Sequence, residues 1–377
     1  MRPVRVAFVM EQALGHVTYS QNLHAEAGQH ASVIPTWLPI PFEVHGPARL
    51  VPLLRDNWSA RASWRARRAL GDVLGAQPHD AVFFHTQVTA LFSLGIIRRL
   101  PTIVSLDATP LNYDRVGYHY GHRPAGDGWL DRLKYRVNQR VFRAARGLVT
   151  WSEWARRSLV DEYGIDDSRI RVLAPGAART FFELGRLRAA ASPPPGPSRR
   201  TPRVLFVGGD FQRKGGPVLL ESVRALGDRC VVDVVTQAAV DAPPNVRVHT
   251  GVEPNSERLL RLFAEADAFV LPSRAECLAV ALMEAAAAGL PIVTTNVGAL
   301  GEAVRPGSSG FLIPADDPRA LRQALSALLD DAAQRSRMGR AGYDLACRRF
   351  DARRNARVLF DLLAQHAAVA ADVRGAA

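Results

Sequence analysis

Short runs of β-branched and apolar residues alternate with longer helical segments along the whole chain, and this alternation constrains the fold more than any other feature. It is typical of βαβ units, whose strands form parallel sheets. Candidate strands in the first half cover residues 4–10, 31–36, 81–85, 102–106, 147–151 and 170–174. Those in the second half cover 203–207, 231–235, 246–249, 267–272, 291–295 and 310–313. Two similar series of six strands predict two doubly wound α/β domains.

A proline-rich segment separates the two series. It reads Ser-Pro-Pro-Pro-Gly-Pro-Ser-Arg-Arg, and proline at this density cannot supply the amide donors of a helix or a strand. We therefore expect a first domain over 1–188, a linker over 189–202 and a second domain over 203–350. The last helical stretch, 351–377, is expected to pack back on the first domain. A length of 377 residues also favours two domains over one.

Several classes of protein are disfavoured by composition. The chain has no run of about 18 apolar residues, so no membrane-spanning helix is expected. Its N-terminal residues lead directly into the strand at Val4 without the pattern of a signal peptide, which favours a cytoplasmic protein. Three widely separated cysteines, Cys230, Cys277 and Cys347, fit free thiols better than a disulfide framework or a metal site.

The formal net charge is +12 and the isoelectric point is near 10.5. A basic surface suits nucleic acid, anionic lipid or anionic substrates. Nearly all of the basic residues are arginine, because the only lysines are Lys134 and Lys214. A uniform arginine bias also arises from genomic base composition, and no nucleic-acid motif accompanies the charge. No nucleic-acid partner is expected.

The most informative segment runs from Leu271 to Gly289 and contains two carboxylates eight positions apart, Glu276 and Glu284. A strand ends at its start, and a helix is predicted from about 278 to 288. Glu284 is the only polar residue of this helix, and a buried carboxylate is costly unless something donates to it, as a ribose diol would. Glu276 precedes the helix, where amides and the helix dipole attract anionic groups. The structural alternative is that Glu276 caps the helix and Glu284 pairs with an arginine.

A second segment, from Arg203 to Gly216, is a strand followed by Gly208, Gly209 and the cations Arg213 and Lys214. Glycines let a ligand approach the backbone closely, and the cations can neutralise a diphosphate leaving group. Lysine is rare in this chain, so its presence here indicates a compact point charge. A surface turn with solvated charges is the alternative.

A third segment follows the strand at 291–295. Gly298 and Glu302 form a Gly-x-x-x-Glu pattern, and Gly307 and Gly310 form a Gly-x-x-Gly pattern. A structural role for Glu302 and a ligand contact remain equally open.

These three segments, in this order, resemble the donor domain of the retaining GT-B glycosyltransferases of family four, also called glycosyl transferases group one. The similarity covers nearly all of residues 203–320, and the stretch from Trp151 to Gly176 is similar to the end of the family's first domain. The resemblance implies two facing Rossmann-like domains with a cleft between them. It also implies that Glu276 faces the donor sugar, Glu284 the ribose, and Arg213 and Lys214 the diphosphate.

The resemblance further implies that backbone near Gly208, Gly209, Leu278, Ala279 and Val280 binds the donor. Two positions depart from the family pattern. Gly209 stands where the family often has arginine, so Arg213 is expected to substitute, and Ala279 stands where glycine is common, which makes the pocket slightly tighter.

In the first domain, two loops follow strands and are expected to face the cleft. One contains Gly15, which is expected to approach the donor, and His16. The other contains Asp107, near the place where family members commonly have histidine. Asp107 is interpreted either as a substitute contact or as a helix cap.

The expected activity is transfer of a sugar from a UDP- or GDP-type donor to a hydroxyl of a glycan, lipid-linked or small-molecule acceptor. No cofactor is expected. No Asp-x-Asp motif or metal-ligand spacing is present, so cations and helix amides are expected to stabilise the leaving group without a metal. Retention is implied by the resemblance. Open alternatives are an inverting transferase with His16 as the base, a nucleotide-sugar epimerase, and a non-enzymatic membrane or nucleic-acid binder.

The segment from Arg55 to Leu70 places Trp58 and Trp64 among clustered arginines. This composition suits a helix lying on an anionic membrane surface, and it predicts a peripheral membrane contact. The alternative is a solvated helix whose tryptophans pack on the first domain.

Overall fold

The computed structural model describes residues 2–13, 15–41, 57–120, 126, 128–190 and 200–375. The chain divides into two compact units. The first comprises Met1–Asn112, Ala125–Pro175 and Arg353–Ala377, and the second comprises Tyr113–Pro124 and Gly176–Ala352. Most of the expected linker over 189–202 lies outside the described residues, as do Arg55 and Asp56 of the predicted membrane segment.

Each unit is built on a parallel sheet of six strands with helices between them, so the predicted α/β class and doubly wound domains are confirmed. The first sheet has the order β2-β1-β3-β4-β5-β6 and the second the order β12-β11-β10-β7-β8-β9. The strands are β1 (Val4–Gln12), β2 (Val33–Pro41), β3 (Ala81–Phe84), β4 (Thr102–Leu106), β5 (Gly147–Thr150), β6 (Ile170–Val172), β7 (Arg203–Val207), β8 (Val231–Val235), β9 (Val246–His249), β10 (Ala268–Leu271), β11 (Ile292–Thr295) and β12 (Gly310–Ile313).

Helices connect the strands and cover the sheets. Those within the described residues are α1 (Gly15–Ala27), α2 (Trp58–Ala76), α3 (Gln87–Ala90), α4 (Leu94–Arg99), α5 (Pro110–Val116), α6 (Trp129–Ala144), α7 (Glu153–Asp161), α8 (Arg179–Ala190), α9 (Gly216–Arg224), α10 (Glu257–Glu265), α11 (Val280–Ala287), α12 (Pro318–Asp330), α13 (Ala332–Arg349) and α14 (Ala352–Gly375). Short 3-10 turns lie at Gly117–Tyr120, Asp167–Arg169, Gly227–Arg229 and Leu300–Ala303. Over the part of the chain that the structure describes, none of these helices is long and apolar enough to cross a bilayer.

Central strands such as β3 and β10 are buried along their whole length, as parallel strands covered on both faces must be. The order of each sheet reverses beside its first strand. The reversal falls between β1 and β3 in the first unit and between β7 and β10 in the second. In open α/β sheets, ligands bind beyond the carboxyl ends of the strands at this switch point. The loops that follow β7 and β10 are therefore placed side by side.

The boundary between the units differs from the one expected after residue 188. Helix α8 belongs to the second unit, because it packs closely on α11. A Cβ atom added at Gly185 would lie 2.0 Å from the carbonyl oxygen of Ala287, so only glycine permits this approach. The sequence placed α8 before the proline-rich segment and gave no sign of this packing.

Helix α14 groups with the first unit from Arg353 onward. The ring of Phe360 meets that of Phe8 at 6.0 Å, in an edge-to-face arrangement. Further along, His366 lies against β5, where its Nε2 atom is 3.0 Å from the position that a Cβ atom on Gly147 would take.

Candidate active site

The loop between β7 and α9 is shaped by glycines. Gly215 has a φ of +79°, and a Cβ atom there would lie 1.9 Å from the carbonyl oxygen of Pro272, so glycine is required. A Cβ atom at Gly208 would lie 3.1 Å from the side chain of Lys214. The loop is therefore held tightly against the end of β10, and Lys214 lies over the glycine turn.

Both cations of this loop form ion pairs with Glu276. The Nη1 atom of Arg213 lies 3.3 Å from Glu276 Oε2, and Lys214 Nζ donates to the same oxygen. Arg213 is itself buried and is held in place by Asp210, whose Oδ2 accepts from Nε at 3.0 Å, and by the carbonyl of Ala275 at 2.9 Å. The predicted cations and carboxylate thus form one cluster, in which Arg213 is rigidly fixed and Lys214 lies at the edge.

Electrostatics keep Glu276 ionised. Burial alone raises the pKa of this carboxyl, but the charges of Lys214 and Arg213 outweigh it, and the resulting pKa lies below the ordinary value. The carboxylates of Asp210 and Glu276 thus balance the charges of Arg213 and Lys214, and an arriving anion would compete with Glu276 for the two cations.

Glu284 lies on α11 and is buried. Burial raises the pKa of this carboxyl to about 7. Burial is the one cause of this shift, and within the described residues no ion pair of the Glu284 side chain is found, so the alternative of an arginine partner is not realised there. A buried carboxylate that gains no donor from the protein is suited to accept hydrogen bonds from a ligand.

The N-terminus of α11 is open to an anion. Ala279 occupies the cap position, and no side chain caps the helix there. Leu278, Ala279 and Val280 are buried, so the first amides of the helix need a hydrogen-bond acceptor. The helix itself begins two residues later than the sequence predicts. Glu276 is bound by the cations and does not act as a cap.

The third loop packs on the same site. Gly298 has a φ of +56°, and a Cβ atom there would lie 1.9 Å from the carbonyl oxygen of Glu276. Glu302 accepts a hydrogen bond from Arg349 Nη2 at 3.0 Å, with Arg349 Nη1 on its carbonyl at 3.2 Å. Of the two roles that the sequence left open for Glu302, the structure shows the structural one, as the partner of Arg349.

The two departures from the family pattern have different consequences. Nothing lies within 4 Å of a Cβ atom placed on Gly209, so no contact of the backbone requires glycine at this position. Ala279, by contrast, is buried at the start of α11, where its methyl group occupies room beside the open amides.

A second polar cluster forms in the first unit, beyond β1, β3 and β4. The Nε2 atom of His16 lies 3.7 Å from Asp107 Oδ2, and its Nδ1 atom lies 3.3 Å from His85 Nε2. Asp107 does not cap α5, because Thr109 and Asn112 exchange the capping hydrogen bonds at 3.2 and 3.1 Å. Of the two interpretations of Asp107, the helix cap is therefore wrong.

Sequence reasoning missed two members of this cluster, His85 and Thr86. Thr86 donates to Glu11 Oε2 at 2.5 Å, and both residues are buried. Burial raises the pKa of Glu11, opposed by the charge of His16 and by the hydrogen bond from Thr86. Burial also sets the pKa of His85 well below its ordinary value, and the nearby His16 lowers it further. The signal that could have found them is a polar pair directly after the apolar run of β3.

Aromatic rings surround His16. Its ring lies 4.9 Å from that of Trp151, and Tyr19 lies 4.9 Å from His85. Trp151 Nε1 donates to Ser105 Oγ at 3.3 Å, which fixes the indole. Across the ranges that the structure describes, no group of three His, Cys, Asp or Glu side chains is placed to hold a metal ion.

Comparison with known proteins agrees with this architecture. The family model "Glycosyl transferase 4-like domain" matches residues 12–176, and "Glycosyl transferases group 1" matches residues 201–331. The D-inositol 3-phosphate glycosyltransferase of Corynebacterium glutamicum is 32% identical over 208 residues, covering 48% of this chain and 49% of that protein. The chain spans about half the length of the curated relatives that it matches.

Solved structures show the same fold at low identity. Sucrose-phosphate synthase from Thermosynechococcus elongatus superposes with a TM-score of 0.75 at 16% identity, over 97% of this chain and 100% of that one. Anabaena HepE, solved with UDP and glucose, gives a TM-score of 0.65 at 14% identity, over 96% and 99% of the two chains. The two matched models and the fold define the class: this chain belongs to the GT-B glycosyltransferases of family four, the glycosyl transferases group one.

Proposed function

We propose that the protein is a retaining glycosyltransferase that moves a sugar from a nucleotide-sugar donor to an acceptor hydroxyl without a metal ion. The observation that carries this proposal is the cluster of Glu276, Arg213 and Lys214 beside the open amides of α11. Two cations and a helix N-terminus at one switch point suit a diphosphate, which develops negative charge as the sugar departs.

Each residue has a distinct task in the proposal. Lys214 leaves Glu276 and binds the donor's phosphates, whereas Arg213, anchored by Asp210, stays paired with Glu276. Glu276, released from the lysine, accepts hydrogen bonds from hydroxyls of the transferred sugar. Glu284 accepts hydrogen bonds from the ribose hydroxyls. These supply the donors that its side chain does not find among the described residues. Backbone at Gly208 and Gly209 lies alongside.

The proposed chemistry is front-face substitution. The bond between the anomeric carbon and the leaving phosphate oxygen breaks, and the acceptor oxygen bonds to that carbon on the same face. The leaving phosphate oxygen takes the proton of the acceptor hydroxyl, so no protein base is required. Charge on the departing diphosphate is spread over Lys214, Arg213 and the helix amides.

The donor is proposed to be of the UDP or GDP type. HepE, which shares the fold, was solved with UDP and with UDP-glucose. The acceptor is a hydroxyl of a glycan, a lipid-linked sugar or a small molecule, and the reaction is placed in the cytoplasm as part of the same proposal.

A thermal-shift screen of nucleoside diphosphates and their sugars tests donor binding. A ligand present at a hundred times its Kd stabilises the folded state by about 2.7 kcal/mol, which is easily measured as a rise in Tm. We expect UDP or GDP to raise the Tm of the wild type and to have a much smaller effect on Lys214→Ala. If no nucleoside diphosphate or nucleotide sugar changes the Tm, the proposed function is wrong. Turnover without acceptor would instead support an epimerase.

The predicted membrane contact stays part of the proposal for helix α2. Ala62, Ala66 and Leu70 pack into the first unit's core, whereas Trp64 is half exposed and Arg68 lies over its ring at 5.9 Å. Sedimentation with anionic but not neutral vesicles, weakened in Trp64→Ala, is the expected result. Equal sedimentation with both kinds of vesicle would remove the contact.

A further inference from the structure

We propose that helix α6 binds the first unit to an anionic lipid surface, through the exposed apolar side chains of its first two turns and the arginines that follow them. This inference goes beyond the proposed glycosyl transfer and does not rest on it. It assigns membrane binding to a helix other than α2, on contacts and exposures that are independent of Trp64.

The first two turns of α6 leave large apolar side chains in solvent. Trp129 is 68% exposed, Leu130 52% and Leu133 47%. The opposite face of the same helix is well packed, because Val141 and Phe142 lie in the first unit's hydrophobic core. A tryptophan and two leucines clustered on the outside of a packed helix are typical of a surface that another molecule covers.

Basic side chains continue this surface toward the C-terminus of α6. The helix carries five basic residues, all of them exposed: Arg132, Lys134, Arg136, Arg140 and Arg143. Asp131 is its only acidic residue, and it pairs with Lys134 at 3.4 Å. The helix therefore carries a strong positive charge, to which an anionic partner is complementary.

The apolar and the basic side chains share one face. Trp129, Leu133, Arg136 and Arg140 follow one another at intervals of four, three and four residues, so they lie along the same side of the helix. Within the residues that the structure describes, neither Arg136 nor Arg140 forms an ion pair. On a bilayer, the tryptophan and the leucine can enter the headgroup region while the guanidinium groups stay at the level of the phosphates.

The helices beside α6 extend the surface. One hydrophobic core lies beneath α2, α4 and α6, to which they contribute Ala66, Ile97 and Val141, so the three helices cover the same side of the first sheet. Trp64 on α2 and Phe92, two residues before α4, are each half exposed. Five of the nine large apolar side chains that are exposed among the described residues therefore belong to this one layer of helices.

Charge and apolarity together favour a bilayer over other occupants. Nucleic acid would bind the arginines but would leave Trp129 and Leu133 in water. A second copy of this chain, related by a two-fold axis, would bring the same basic helix against itself, and like charges facing each other are repulsive. An anionic bilayer accepts both kinds of side chain at once.

Sedimentation with vesicles of phosphatidylglycerol and phosphatidylcholine tests the inference. We expect Trp129→Ala/Leu133→Ala to bind these vesicles about tenfold more weakly than the wild type. Arg136→Gln/Arg140→Gln should lose about thirtyfold at low salt, since each basic residue near an anionic surface contributes about fivefold. Leu187→Ala is the matched control, because it removes a comparably exposed apolar side chain from α8 in the second unit, and it should bind as the wild type does.

The Tm of these variants should stay near that of the wild type, because the replaced side chains are exposed. A wild type that does not bind the mixed vesicles, or α6 variants that bind as the wild type does, would overturn the inference. If Trp64→Ala alone weakens binding, the contact belongs to α2 and the inference is wrong. A dimer in size-exclusion chromatography that Trp129→Ala/Leu133→Ala dissociates, without vesicle binding, would also overturn it. Turnover of a soluble acceptor should be unchanged in the α6 variants, so this test is separate from that of the proposed transfer.

Discussion

Lys214 is one of two lysines among the 48 lysine and arginine residues of the chain, and it lies where the proposed leaving group would develop charge. Removing a comparable preorganised stabiliser costs about 3 kcal/mol in the transition state, or about a hundredfold in rate. Lys214→Ala is therefore expected to lose about a hundredfold in kcat. Its Tm should change much less than its rate, since Glu276 keeps its contact with Arg213 Nη1 at 3.3 Å. Steady-state kinetics and thermal melting measure the two effects.

Arg229→Ala is the matched control for this variant. Arg229 belongs to the same unit and pairs with Asp330 at 2.6 Å, but both side chains are about half exposed or more. Exposed pairs contribute little, so activity and Tm should both stay near the wild type. If Lys214→Ala retains activity within threefold of the wild type, the assignment of Lys214 to the diphosphate fails.

Glu284 should make stability depend on pH. Its pKa is raised from 4.5 to about 7 in the folded protein, so the folded state holds the proton more tightly than the unfolded state. Stability is therefore lost as pH rises from about 4.5 to about 7, by up to about 3 kcal/mol. Glu284→Gln escapes this loss, so its Tm relative to the wild type should increase between pH 5 and pH 8. Glu183→Gln, at an exposed position, should show no comparable trend.

Residue types and spacing singled out Glu276, Arg213 and Lys214, and the family resemblance gave them roles, but the ion pairs among them were not predicted. Glu276, Arg213 and Lys214 come together because their two loops follow strands that are adjacent in the sheet. His85 was not predictable in the same way. His85 follows β3, and it contacts His16 because β3 pairs with β1 in the sheet. The order of the strands along the chain does not specify this pairing.

At the scale of elements, all twelve predicted strands are present, and the largest error is β2. Its predicted range of 31–36 ends early because Pro39 and Pro41 interrupt the apolar run beyond it. Proline cannot donate to a sheet ladder and is tolerated on an edge strand. In the structure β2 is the edge of its sheet and pairs with β1 over nine residues, from Val33 to Pro41.

Arg188 joins α8 to the rest of the second unit. Its guanidinium donates to the carbonyl of Ala288 at 2.6 Å and to those of Phe263, Ala264 and Ala266 at 2.6, 2.8 and 2.9 Å. These carbonyls end α10 and α11, and burial lowers the pKa of Arg188 to about 10. Arg188→Ala leaves them without donors and should destabilise the unit by about 3 kcal/mol in denaturant unfolding.

Arg179→Ala on the same helix provides the comparison. Among the described residues, Arg179 pairs with Glu183, four residues along α8, and both side chains are exposed. Its loss should change the free energy of unfolding by about 0.5 kcal/mol or less. Equal effects of the two substitutions would show that the carbonyl contacts of Arg188 do not hold α8 in place.

At the scale of the whole molecule, the two sheets carry different chemistry at their switch points. The second unit presents cations and open helix amides, whereas the first presents the His16, Asp107 and His85 cluster. Since the cations suffice for the leaving group in this account, activity should persist after exhaustive chelation. Activity that is lost to a chelator and restored by magnesium or manganese would show that a metal ion takes part.

The central claim is retention of anomeric configuration, with Glu276 serving the donor sugar and His16 not acting as a base. Proton NMR of the first product formed, recorded before any anomerisation, tests it most directly. The account predicts an anomeric coupling that matches the donor's configuration, and a severe loss of rate with near-normal folding in Glu276→Gln. An inverted coupling would contradict the account and transfer the catalytic role to a base in the first unit.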